Sequence, residues 1–312
     1  MIVIVGPTAV GKTAVALELV SDIGGEIVSA DSMAVYVGMD IGTAKPTAEE
    51  QSRARFHLID VADPAKPFSV GEFQKLASEA IEGVLERNPP AVVVGGSGLY
   101  VRAAIDGLNL EIPGRDDDLR AGLAEEAREF GCERVHERLR EIDPVSAERI
   151  HPNNVKRVIR AIEIYELSGV PASVLFDRDA NRWAGTSCPG PTGAAAGWFG
   201  LTMNRDALYE RIDKRVDNMI GAGLIEEVVG LLGKGIDPNL PSMQGLGYKE
   251  IAGYLRGEYG EEEAVSLLKM NTRRFAKRQY TWFRADARVR WIDLSDMTAK
   301  KVSEIIKGEL HT

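Results

Sequence analysis

The sequence predicts an α/β protein in which a parallel sheet, flanked by helices, is interrupted by a mostly helical insertion. Three observations predict it. Short apolar runs at Ile2–Val5, Glu26–Ala30, Phe56–Asp60 and Ala91–Val94 read as strands, spaced widely enough for helical crossovers. Buried strands joined in this way form parallel sheets covered on both faces. The first run leads directly into the glycine loop Gly6-Pro7-Thr8-Ala9-Val10-Gly11-Lys12-Thr13 and a helical stretch, Thr13–Val20. From about Ile112 to Asp179 the pattern turns to polar helical segments, and a strand, Trp198–Thr202, then resumes the core.

Within the insertion, Asp116–Phe130 and Glu133–Glu141 carry apolar residues at three- and four-residue spacing. Asn154–Ser168 does so too, with the stripe Val155, Val158, Ile159, Ile162 and Tyr165 closed by Gly169. Asn181–Gly197 is rich in glycine, proline and alanine and reads as a flexible return loop. Helices follow at Asp206–Ala222, Ile225–Leu232, Lys249–Leu255 and Glu262–Arg284, then a last short strand at Val289–Ile292. The expected organisation is a P-loop NTPase-like core from residues 1–111 and 197–312, with an insertion domain at 112–196.

Composition narrows the function classes. With 44% hydrophobic and 27% charged residues, the 312-residue chain has an ordinary globular balance. No apolar run approaches the roughly 20 residues of a membrane span, and the start lacks a signal peptide's cationic region. A cytoplasmic protein without membrane contact is expected, working as a monomer. Cys132 and Cys188 lack metal-ligand spacing and are expected as free thiols. The net charge of −9 argues weakly against a polyanionic partner, yet Lys269–Arg290 holds eight basic residues against Asp286. That segment carries +7, leaving −16 on the rest, either as a phosphate-binding patch or as a solvated helical face.

Gly6–Thr13 matches the G-x4-G-K-[ST] pattern in full, between a strand and a helix as the pattern requires. Its glycines let backbone N–H groups turn toward one centre, and the helix N-terminus adds partial positive charge. Lys12 supplies a point charge for a terminal phosphate, and the Thr13 hydroxyl is placed to reach Mg²⁺. The motif specifies a phosphate ligand without specifying ATP, because any diphosphate offers similar oxygens. Asp31 closes the second strand, at the carboxyl-end crevice where ligands of such sheets sit. Three readings stay open for it: a Mg²⁺ holder in a nucleotide kinase, a general base, or an N-cap of the next turn.

Further motifs carry a resemblance. GPTAVGKT (6–13), SADSMAVY (29–36), GMDIGTAKP (38–46), GGSGLY (95–100), HPNN (151–154), SMQGLGYK (242–249) and KRQYTW (277–282) run in order through nearly the whole chain. Together they resemble the tRNA dimethylallyltransferases, also called tRNA isopentenyltransferases, with GMDIGTAKP much more specific than any phosphate loop. The resemblance implies transfer of a dimethylallyl group from dimethylallyl diphosphate to N6 of adenosine 37, beside the anticodon. The loop Gly6, Pro7, Thr8, Ala9, Val10, Gly11, Lys12 and Thr13 would then hold the donor's diphosphate with Mg²⁺, and no ATP would be hydrolysed.

On that resemblance Asp31 is the expected base for the adenine amine, and Arg215 joins the loop in stabilising the leaving diphosphate. Thr8 orients the amine or a diphosphate oxygen. Without the resemblance, Arg215 would be read as pairing with Glu210 or Asp213 on its own helix. The tRNA anticodon stem-loop is expected on Asp31, Ser32, Met33 and Ala34; on Ser97; on Lys156, Arg157, Val158, Ile159 and Arg160; and on Gln244, Gly245, Leu246, Gly247, Tyr248 and Lys249.

The chain departs from the family pattern at several points. Ala34 replaces a common Gln, HPNN a common HPND, and Lys156 a frequent Arg or Gln. The lack of a C-terminal Cys/His extension points to a bacterial-type enzyme. The competing expectations are transfer to a free adenine nucleotide, an ATP-dependent small-molecule kinase, and an RNA-binding protein with a degenerate nucleotide fold.

Overall fold

A computed structural model describes residues 1–87, 90–108, 114, 116–175 and 197–310. The chain divides into two compact units, Met1–Gly107 with Pro189–Thr312, and Leu108–Cys188. Among the described residues no helix is long and apolar enough to cross a membrane. Cys132 is a free thiol. Cys188 and most of the expected return loop lie outside the described residues.

The larger unit is built on β1 (Ile2–Val5), β2 (Glu26–Ser29), β3 (Phe56–His57), β4 (Ala91–Gly95), β5 (Gly197–Thr202) and β6 (Arg290–Asp293). They form one sheet in the order β3-β2-β4-β1-β5-β6, with every neighbouring pair parallel. The unbroken apolar composition of β1 and β4 follows from this: all four residues of β1 and all five of β4 are buried, as in strands covered on both faces. The third expected strand stops at His57. Leu58 and Asp60 take positive φ, 63° and 56°, which turns the chain out of extended geometry.

The helices of this unit are α1 (Lys12–Ile23), α2 (Ala48–Arg53), α3 (Val70–Arg87) and α4 (Gly98–Asp106) before the insertion. After it come α9 (Arg205–Gly221), α10 (Leu224–Gly233), α11 (Tyr248–Leu255), α12 (Glu261–Arg284) and α13 (Ala299–Glu309). One cluster, including Ile4, Val15, Leu19, Val92, Phe199, Leu201 and Ile306, joins α1 and α13 to the sheet. Helix α3 had no counterpart in the sequence reading. It buries Phe73, Ala77, Ile81 and Val84, a single face at helical spacing.

The smaller unit packs α5 (Asp117–Phe130), α6 (Cys132–Ile142), α7 (Pro144–Arg149) and α8 (Val155–Ser168) around Leu123, Leu139, Val158, Ile162 and Ile164. Glu163, wholly buried on α8, accepts from Nε and Nη2 along one edge of the Arg120 guanidinium at 2.8 and 2.7 Å, accepts from Asp116 N at 2.9 Å and pairs with Arg160. Burial pushes its pKa up, but these donors outweigh that and hold it at about 2. The buried Asp143 carboxylate ties the start of α7 to the segment that follows α8 by accepting from Ser146 N and Ser173 N.

Candidate active site

β1, β2 and β4 end side by side, so the segments that follow them meet at one edge of the sheet, where α/β proteins place ligands. A cleft of ≈ 960 Å³ opens there. Its walls include Thr8, Ala9, Gly11, Lys12 and Thr13 after β1, Asp31–Ala34 after β2, and Gly95–Ser97 at the end of β4. Arg211, Lys214 and Arg215 face it from α9, Gln244–Leu246 and Lys249 from around the start of α11, and Arg278 and Gln279 from α12.

The glycine loop is shaped by contacts that a side chain would break. Gly6 takes φ +148°, and a Cβ there would stand 2.6 Å from the Leu201 carbonyl oxygen of β5. Ala9 also holds positive φ, 64°, a costly conformation that the surrounding structure must impose. Val10 turns into the core and is fully buried. The Lys12 ammonium donates to the carbonyls of Gly6 (3.0 Å) and Pro7 (2.8 Å), so the loop closes around it. Burial lowers its pKa to about 8; the Asp31 carboxylate opposes that shift and the Arg215 guanidinium adds to it. Burial likewise lowers Arg215, with Asp31 pulling it up. These three charges therefore act on one another across the cleft.

Asp31 uses one carboxylate oxygen, Oδ1, to accept from Met33 N (2.8 Å) and Ala34 N (3.4 Å). Two of the readings open for it are thus compatible: Oδ1 caps the turn, while Oδ2 makes no hydrogen bond among the described residues and belongs to a side chain that lines the cleft. Ser32 is fixed beside it, its N–H donating to Ser97 Oγ at 3.1 Å, with the two hydroxyls 3.0 Å apart. Arg215 does not pair along its own helix. Asp213 is taken by Arg273 of α12 at 2.8 Å, and Arg215 Nη2 donates to the Thr43 carbonyl at 3.4 Å.

Gly247 and Tyr248 are buried, unlike Gln244, which is exposed. Lys156, Arg157, Val158, Ile159 and Arg160 belong to the smaller unit. There Lys156 and Arg157 are exposed, Val158 and Ile159 turn into the core, and Arg160 bonds to Glu163 and the Gly114 carbonyl. The basic C-terminal segment is also divided. Lys269 and Arg273 pair with Asp217 and Asp213 of α9, and Arg288 with Asp106 and Asp286, whereas Arg274 and Lys277 are exposed.

Two site residues escaped the sequence reading. Gln279, 5% exposed, accepts from Thr8 N and donates to the Gly96 carbonyl, both at 2.8 Å, and so locks the phosphate loop to the β4 turn. Glu227 holds residues 40–42 by their backbone N–H groups. Gln279 lies inside the KRQYTW motif; Glu227 carries no motif. Among the described residues no group of three or more His, Cys, Asp or Glu side chains could hold a metal ion.

A phosphate loop after β1, a carboxylate after β2 and a cationic helix facing both define a P-loop α/β group-transfer enzyme. The family model for IPP transferase matches residues 34–286. A tRNA dimethylallyltransferase of Desulforudis audaxviator is 51% identical over 298 residues, covering 95% of this chain and 92% of that one. One from Geobacter metallireducens is 46% identical over 293 residues, covering 94% and 92%. The chain belongs to the IPP transferase family, the tRNA dimethylallyltransferases, and is a prenyl transferase. The crystal structure of a full-length tRNA isopentenylpyrophosphate transferase from Bacillus halodurans superposes with a TM-score of 0.70 at 43% identity, covering 99% of this chain and 96% of that one. A eukaryotic dimethylallyltransferase described as acting on tRNA shares the fold, with a TM-score of 0.74 at 22% identity over 100% of this chain and 79% of that one.

Proposed function

We propose that this chain transfers the dimethylallyl group of dimethylallyl diphosphate to N6 of adenosine 37 in the tRNA anticodon loop, releasing diphosphate. The observation carrying this reading is that one cleft joins an anion-binding loop to a carboxylate with an uncommitted oxygen. The adenine N6 attacks C1 of the allyl group, the C1–O bond breaks, and the electron pair leaves with diphosphate. Asp31 Oδ2 takes the N6 proton, while Oδ1 holds the carboxylate in place through the Met33 and Ala34 amides. Lys12, the loop amides and Arg215 take up the growing negative charge, and Thr8 orients the reacting groups.

The donor set fits Mg²⁺, which is commonly held by one or two protein oxygens with phosphate oxygens and water completing the shell. Thr13, beside Lys12 on the cleft, would hold it, and bound there it would neutralise charge on the diphosphate. Residues 112–196 form the insertion domain in this reading and meet the tRNA through Lys156 and Arg157. The adenosine is unstacked to enter the cleft, at a cost of a few kcal/mol. The enzyme acts as a cytoplasmic monomer.

Radiolabelled dimethylallyl diphosphate with Mg²⁺ and either tRNA or AMP tests the reading. Label is expected in tRNA alone. Label in AMP would replace tRNA by a free nucleotide, and phosphate transfer from ATP with no use of the allylic donor would make the protein a kinase.

A further inference from the structure

One wall of the cleft is held by a carboxylate from behind. Glu227, on α10, accepts from three consecutive backbone amides: Asp40 N at 2.9 Å, Ile41 N at 2.8 Å and Gly42 N at 3.2 Å. It also accepts the Tyr248 hydroxyl at 2.7 Å. The Tyr248 ring lies against Gly42, where a Cβ would meet ring carbons at 2.6 Å. The next residue, Thr43, presents its carbonyl to Arg215. An unbroken chain of contacts thus runs from Glu227 through residues 40–43 to the guanidinium that shares the cleft with Asp31 and Lys12.

Hydrogen bonds to a charged acceptor are about twice as strong as neutral ones. An anchor for three amides in a row also removes most of a loop's freedom. Arg215 is long, and a single 3.4 Å bond to Thr43 steadies its head. Its position therefore depends on where the loop places that carbonyl. From this we infer that Glu227 is a positioning residue for the diphosphate end of the cleft, acting through Gly42 and Thr43 on Arg215. The inference rests on reading the cleft as a diphosphate site.

The test is a double-mutant cycle on the full chain, reading the binding of inorganic diphosphate with Mg²⁺ by calorimetry. Glu227→Ala and Arg215→Ala should each weaken binding about tenfold, and the double variant should be within about twofold of Arg215→Ala, because coupled residues do not add. Glu227→Gln, which keeps one acceptor oxygen but turns an NH2 donor toward the remaining donors, should weaken binding less, about threefold. In turnover assays Glu227→Ala should lower kcat as well as raise the donor KM, because Arg215 takes up charge that grows in the transition state, whereas a merely structural role would move Tm and leave both unchanged. If Glu227→Ala does not fold, the same cycle runs with Glu227→Gln, whose smaller loss should likewise vanish beside Arg215→Ala. Additive losses near a hundredfold, or a lowered Tm with unchanged diphosphate affinity, would overturn the inference while leaving the diphosphate reading intact. A wild-type protein that does not bind diphosphate would overturn both.

Discussion

Replacing Gln279 by alanine removes two hydrogen bonds at once, from Thr8 N and to Gly96 O, at a side chain only 5% exposed. Each backbone group left without a partner costs about 1–3 kcal/mol when buried. Thr8 is half-buried on the cleft wall and gains some compensation from water, so about 2–4 kcal/mol is expected in total. For a unit of this size about 2–4 °C of melting temperature follows each kcal/mol, which sets a fall of at least about 4 °C. The functional loss should be larger in proportion, because the bond to Thr8 fixes the loop proposed to grip the diphosphate, and a misplacement near 1 Å can cost about 10²-fold in rate. Thermal unfolding with kcat/KM on tRNA measures both. Gln279→Glu sharpens the test: it can still accept from Thr8 but cannot donate to Gly96, and it sets a carboxylate against that carbonyl. A Gln279→Ala enzyme with wild-type Tm and wild-type kcat/KM would refute the claim that this side chain locks the site.

Asp31→Ala should lower kcat about 10²–10⁴-fold, the range for general-base loss, with inorganic diphosphate still bound in calorimetry; wild-type turnover would exclude Asp31 as the base. Removing the charges of Lys156 and Arg157 together should flatten the plot of log tRNA affinity against log salt by roughly 0.7–0.9 for each phosphate left unneutralised, and an unchanged slope would place the tRNA elsewhere. Glu163 gives a pH prediction. Its folded pKa is held at about 2, below the unfolded value near 4.3. The stability it contributes is therefore complete above the unfolded pKa and is lost as pH falls from about 4.3 toward 2. Hydrogen exchange should show α5–α8 opening first in that window, and Glu163→Gln should lose this local pH dependence.

The strands with unbroken apolar runs were legible in the sequence because burial on both faces leaves no polar position in them. The phosphate loop was legible because its geometry demands glycine at fixed spacing. The stop after His57 was not, since Leu58 and Asp60 are ordinary residues held at positive φ by their surroundings. Sequence reasoning brought Asp31 and Lys12 to one crevice through the rule for parallel sheets. It could not find Glu227, whose amide partners lie 185–187 residues away, nor the bonds of Gln279, which span 271 and 183 residues. A side chain recruited across the fold to hold backbone leaves no local pattern. Val158 and Ile159 show the converse: neighbours of Lys156 and Arg157 in sequence, they are buried in the core of the smaller unit while that pair is exposed.

The strand order also has a consequence for the order of synthesis. β1 lies between β4 and β5, and about 100 residues separate the end of β4 from the start of β5. At about 5–20 residues per second, one hydrogen-bonding edge of a wholly apolar strand stays bare for roughly 5–20 s during translation. The intervening helices carry their own apolar core and can collapse in that interval. The nascent β1–β4 sheet has no such cover until Gly197–Thr202 emerges, which makes it the segment where a chaperone would be needed first.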